Sequence, residues 1–154
     1  MMGGGGGQQQ LQEMSQQLQE LQEQIEGLEE EVDSLEAEQS EVDEAIEAIE
    51  TLETGSTVQV PLGGDAYVRA EVQDIDEVVV GLGGGYAAEQ NQNDAIDTLE
   101  SKKETLDDRI EEVNEEISEV EAESEQLEQK AQQLQQQQMQ QQMQQMQEQE
   151  GDEE

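Results

Sequence analysis

The chain has 154 residues and a net charge of -37, from 42 acidic residues against five basic ones, with no Cys, His, Phe or Trp. Without large aromatics a thick core is hard to fill, so the apolar residues are expected to bury along thin seams of an elongated structure. The charge argues against nucleic acid and against an anionic membrane surface as partners, because both need neutralising cations.

Residues 1–10, MMGGGGGQQQ, are two methionines followed by glycine and glutamine, and are expected to be flexible. They lack the basic stretch and apolar run of a signal peptide. A heptad begins at Leu11 and occupies 11–54. Leu11, Leu18, Ile25, Val32, Gln39 and Ile46 form one set of positions, and Met14, Leu21, Leu28, Leu35, Val42 and Ile49 the other. The spacing alternates three and four for more than five heptads, which predicts a coiled-coil helix. Gln39 is the one polar seam residue, and Gly27 lies off the seam. Gly55 is the expected stop.

Residues 55–90 change period. Val58, Val60 and Leu62 alternate with Thr57, Gln59 and Pro61; after a turn at 63–65, Ala66, Val68, Ala70 and Val72 alternate with Tyr67, Arg69 and Glu71. A period of two predicts a hairpin with one apolar face. Val78, Val79 and Val80, a glycine turn at 81–85 and a short strand from Tyr86 to Ala88 predict a second hairpin. Isolated hairpins are marginal in water, and free strand edges invite pairing. This segment is therefore read as an oligomerisation module, carried by Val58, Val60, Leu62, Tyr67, Val68, Ala70, Val72, Val78, Val79 and Val80.

NQND at 91–94 offers N-caps for a second helix over 91–134. Its seam runs through Ile96, Lys103, Ile110, Ile117, Ser124 and Ala131, and through Leu99, Leu106, Val113, Val120, Leu127 and Leu134. Lys103 and Ser124 interrupt it. A Gln/Met-rich tail, 135–154, is expected to be helix that frays. Hairpins between the helices make them antiparallel, with Leu11 near Leu134 and the second helix overhanging the first. The fold expected is α+β and mostly α: a long two-helix coiled coil with two β-hairpins inserted, the hairpins forming an oligomeric β-barrel.

The tail has two readings. Met139, Met143 and Met146 are either further seam residues or part of a client-binding tip with Leu11, Met14, Leu18 and Leu134. Methionine is flexible and polarizable, which suits promiscuous apolar surfaces. Catalysis has little to work with. The commonest bases and thiol nucleophiles are missing, and carboxylates on exposed helix faces are read as solvated charge. No metal site, cofactor or enzymatic role is expected. No segment has the roughly 18 apolar residues of a membrane span, and the charge suits a salt-rich cytoplasm, where self-repulsion is screened.

Helix, two hairpins and returning helix together resemble the alpha-type subunits of archaeal prefoldin. The stretch that carries the resemblance is STVQVPLGGDAYVRAEVQDIDEVVVGLGGGYAAE, 56–89, set between heptads; the likeness covers about 8–134. Two hairpins match the alpha type, whereas the beta type has one. The acidic composition is similar to that of haloarchaeal versions. The resemblance implies a hexamer of two alpha and four beta subunits whose hairpins form a platform. It also implies coiled-coil tips that hold unfolded polypeptides and pass them to a group II chaperonin without hydrolysing ATP. A structural scaffold or tether oligomerised through the hairpins is the alternative, and an acidic mimic of nucleic acid a more remote one.

Overall fold

The computed structural model describes residues 3–151. In chain order it has helix α1 (Gly3–Thr51), strands β1 (Thr57–Gly63), β2 (Ala66–Glu71), β3 (Val78–Gly83) and β4 (Tyr86–Gln90), and helix α2 (Gln92–Gly151). The chain divides into two compact units, one of residues 1–32 with 112–154 and one of residues 33–111.

In the first unit the helices run antiparallel. Leu21 shares a groove with Leu127, Leu11 and Leu18 share one with Ala131, and Gly7 shares one with Leu134 and Gln138. Seam positions on both helices are buried or half-buried, and nearly every residue between them is exposed. Val113 is fully enclosed, and Ile25 and Val120 are buried. A narrow apolar stripe is all that a two-helix structure can hide, and the intervening glutamates stay in water.

Two differences from expectation lie in this unit. Residues 3–10 belong to α1 rather than to a flexible arm, while Met1 and Met2 lie outside the described residues. Extending an existing helix is far easier than nucleating one, so the glycines follow the turns behind them despite a cost of about 1 kcal/mol each. Gly7 also has a neighbour, since a Cβ built there would meet the Gln138 side chain. The overhang of the second helix is correspondingly shorter than expected. Nor does α2 end at 134: it continues through the glutamine tract to Gly151, and residues 152–154 of the expected tail lie outside the described residues. Gln and Met are good helix formers, and the tract has no like charges to repel one another.

The second unit contains the return of the chain. α1 ends at Thr51, and Gly55, with φ +92°, turns the backbone away. Gly55 N–H donates to Val72 O at 2.8 Å and Val72 N–H to Ser56 O at 2.8 Å, closing the base of the first hairpin. Ile75 N–H donates to Thr54 Oγ1 at 3.1 Å. Asn91 caps α2: Asp94 N–H donates to Asn91 Oδ1 at 2.8 Å, and Asn91 Nδ2 donates back to Asp94 Oδ2 at 3.0 Å. Gln92 then ties the helices together, its Nε2 donating to Ile49 O at 2.6 Å and more loosely to Leu52 O at 3.4 Å. The Ile49 carbonyl belongs to the last turn of α1, where intrahelical donors run out, and Leu52 is the residue that follows it.

Two of the three polar interruptions of the seam, Gln39 and Lys103, meet in this unit. Gln39 Nε2 donates to Lys103 O at 3.4 Å and to Asp107 Oδ1, and Lys103 Nζ pairs with Asp43 Oδ1 at 2.8 Å. Beside them Val42 and Leu106 are buried. Polar residues inside a seam favour one register, because a slip leaves them unpaired among apolar neighbours.

Two outcomes are expected. Gly27 lies in a helix interior with open space where a Cβ would stand. Gly27→Ala should therefore stabilise the chain by about 1 kcal/mol, seen as a higher urea midpoint at unchanged slope. The hydrogen bond to Asp43, and then its charge, raise the pKa of Lys103 above the usual 10.5. Its contribution is then complete below the pH where an unfolded lysine titrates, and is lost as pH rises through the folded value. Lys103→Gln should flatten the alkaline fall in the urea midpoint. The difference should shrink with added KCl, since the pair is half-exposed.

Candidate functional site

The hairpins are near duplicates. Residues 58–64 read V-Q-V-P-L-G-G and residues 78–84 read V-V-V-G-L-G-G, an offset of 20. The pairing follows the same offset. Val60 opposes Val68 and Pro61 opposes Tyr67; Val80 opposes Ala88 and Gly81 opposes Ala87. Both ladders carry an irregularity at the same place, between Pro61 and Gly63 and between Gly81 and Gly83. Each then turns through two residues of positive φ, Gly64 and Asp65 at 58° and 62°, and Gly84 and Gly85 at 64° and 83°. Positive φ at both positions is what a tight hairpin turn matching the strand twist requires. The turn in the second hairpin is thus shorter than the expected 81–85, and β3 and β4 are longer.

The ten residues expected to drive assembly divide into two sets. Val58, Ala70, Val72 and Val78 are half-buried, and Val80 is 6% exposed. Val58 shares a groove with Ala48 and Leu52 at the end of α1. These five are at least partly occupied within the chain. Val60, Leu62, Tyr67, Val68 and Val79 are exposed. So are Leu82 and Tyr86, which the sequence reading left off the surface; Tyr86 is 77% exposed. The 20-residue offset was the signal that pairs Leu82 with Leu62. β1 pairs only with β2, and β3 only with β4. Each strand therefore keeps one edge free of sheet partners, next to uncovered apolar side chains.

The second candidate surface lies in the other unit. Leu11, Met14, Leu18 and Leu134 are half-buried in the seam. Met139, Met143 and Met146 are not with them: they are 68%, 71% and 70% exposed. At about 100° per residue, the three fall within about 60° of one another on α2, and face away from the seam that runs through Leu134 and Gln138. The expected tip cluster is thus two sets, one holding the helices together and one facing solvent. A feature unremarked in the sequence reading surrounds them. No charged residue occurs from Ala131 to Gln147, nor from Met1 to Gln12. With Gly7 beside Gln138, these two charge-free stretches coincide. In a chain of net charge -37 this is a local absence of charge on both helices at once.

A family model described as Prefoldin subunit matches residues 21–137, well over half of the chain. The chain belongs to the prefoldin family. Among its relatives, a prefoldin subunit alpha of Halorubrum lacusprofundi is 73% identical over 100 residues, 65% of this chain and 66% of that protein. One of Halobacterium salinarum is 77% identical over 100 residues, 65% of each chain. The chain thus matches just under two thirds of the length of these relatives. Among solved structures, filamentous PFD from Methanocaldococcus jannaschii superposes with a TM-score of 0.64 at 30% identity, covering 71% of this chain and 93% of that one. The prefoldin likeness thus includes both helices and both hairpins in the order expected. No described helix is long and apolar enough to cross a membrane.

The separateness of the two sheets has a measurable consequence. Gly84→Val places a β-branched side chain at φ +64°, which should cost the second hairpin about 1–2 kcal/mol. Amide exchange should quicken in β3 and β4 while β1 and β2 keep their protection.

Proposed function

We propose that this chain is the alpha-type subunit of a hetero-oligomeric prefoldin, an ATP-independent chaperone of a salt-rich cytoplasm. The observation that carries this is the pair of near-duplicate hairpins with uncovered apolar faces in a chain of the prefoldin family. Two hairpins offer one chain two equivalent joints, and single-hairpin beta-type subunits are the partners that fit. Two such chains with four partners would make a hexamer whose pooled hairpins cover Val60, Leu62, Tyr67, Val68, Val79, Leu82 and Tyr86. The relatives carry the printed name prefoldin subunit alpha, which supports the assignment of type.

Client holding falls to the charge-free stretch. An unfolded polypeptide presents apolar side chains, and Met139 and Met143, with Met146 at the edge of the charge-free stretch, offer a soft apolar surface. One such stripe binds weakly. Several around one assembly hold through avidity and still release stepwise, which suits passage to a group II chaperonin. No nucleotide chemistry is required for either step.

Two measurements test this. Light scattering in molar KCl on the chain co-expressed with a single-hairpin partner should give the mass of two copies with four; a monomer or dimer that ignores the partner would favour the tether. Replacing Met139, Met143 and Met146 together by Gln should leave that mass unchanged and abolish most suppression of client aggregation.

A further inference from the structure

The exposed methionines have a chemistry that client binding does not use. The chain contains no Cys, His or Trp, so its methionines are its most readily oxidised side chains. They differ sharply in access. Met139, Met143 and Met146 are 68%, 71% and 70% exposed, whereas Met14 is half-buried in the seam of the same unit. The three exposed ones share one stripe in a neutral stretch, at spacings of four and three.

We propose that Met139, Met143 and Met146 form a reversible oxidation site that switches off the hold of this segment on unfolded chains. The oxidant is a peroxide. A lone pair of the thioether sulfur attacks one peroxide oxygen, an S–O bond forms and the O–O bond breaks. Sulfur is oxidised by two electrons while hydrogen peroxide is reduced to water, leaving the sulfoxide. Reversal takes two electrons and two protons from a dithiol, and the oxygen departs as water. The product is uncharged, so the electrostatics of the helix barely change. Its S=O group is strongly hydrated, so the stripe loses the apolar contact that holds a client. Leu11, Leu18 and Leu134 carry no sulfur, and Met14 is shielded, so the seam and the helix pairing survive the change. Three sites in one stripe make the response steep, because each sulfoxide weakens the same surface.

This inference rests on the client-holding role proposed for the stripe, and the test separates the two. The full chain, assembled with its single-hairpin partner, is treated with hydrogen peroxide in molar KCl. Peptide mass spectrometry follows oxygen addition at each methionine, and suppression of aggregation of a chemically unfolded protein is measured in parallel. Oxidation at Met139, Met143 and Met146 should run several-fold faster than at Met14. Holding capacity should fall several-fold, with helical content unchanged, and return after treatment with methionine sulfoxide reductases and dithiothreitol. A variant carrying Met139→Leu, Met143→Leu and Met146→Leu keeps the apolar surface without sulfur. Measured against its own untreated capacity, it should lose none to peroxide. Equal oxidation at Met14 overturns the proposal. So does a parent complex that holds client equally well when fully oxidised, or a leucine variant that loses capacity as the parent does. An untreated complex that holds no client overturns the functional role itself, and the switch with it.

Discussion

Apolar side chains spaced alternately three and four residues apart have nowhere to bury in this chain except against one another. With no Phe or Trp to build volume, the buried set is short: Ile25, Val42, Val80, Ala95, Leu106, Val113 and Val120. Six of these seven lie on helices. The antiparallel helix pairing is the interaction on which everything else depends. It holds the glycines of α1 in a helix, brings the two charge-free stretches side by side, and gives the hairpins an anchored base. A polyanion can afford such a seam because most of its charge is left in water, where salt screens the repulsion.

The return of the chain is controlled by a handful of polar contacts rather than by apolar volume. Asn91 and Asp94 start α2, and Gln92 reaches the orphaned carbonyls at the end of α1. Further along, Gln39 and Lys103 occupy seam positions that leucine would fill with more stability. They meet each other's helix with satisfied partners in this register. The cost of polar residues in a seam is then a cost against wrong registers.

The hairpins show the complementary economy. Each has an inward set, led by Val80 and Val58, that rests against its own chain. Each has an outward set, such as Leu62 and Tyr67 or Leu82 and Tyr86, that stays exposed among the described residues. Their common offset of 20 residues, common ladder irregularity and common positive-φ turn make them two copies of one hairpin.

The period of every element is written in the residue order alone. Alternation of three and four marks the helices and alternation of two marks the strands, and glycines with Asp65 mark the turns, because side-chain spacing follows directly from backbone geometry. The family likeness was legible for the same reason, in 56–89 set between heptads. Only the tertiary structure decided which of the equally apolar residues are used up internally. Val80 is buried while Val79 beside it is exposed, and Met14 packs into the seam while Met139, Met143 and Met146 stand clear of it. Composition cannot separate these, since burial is a property of a residue together with the partner that folding brings to it. The meeting of Gln39 with Lys103, 64 residues apart, and of Gly7 with Gln138 was invisible for that reason. So was the helix through residues 3–10, where local preference for a flexible chain yields to helix already formed behind it and another running alongside.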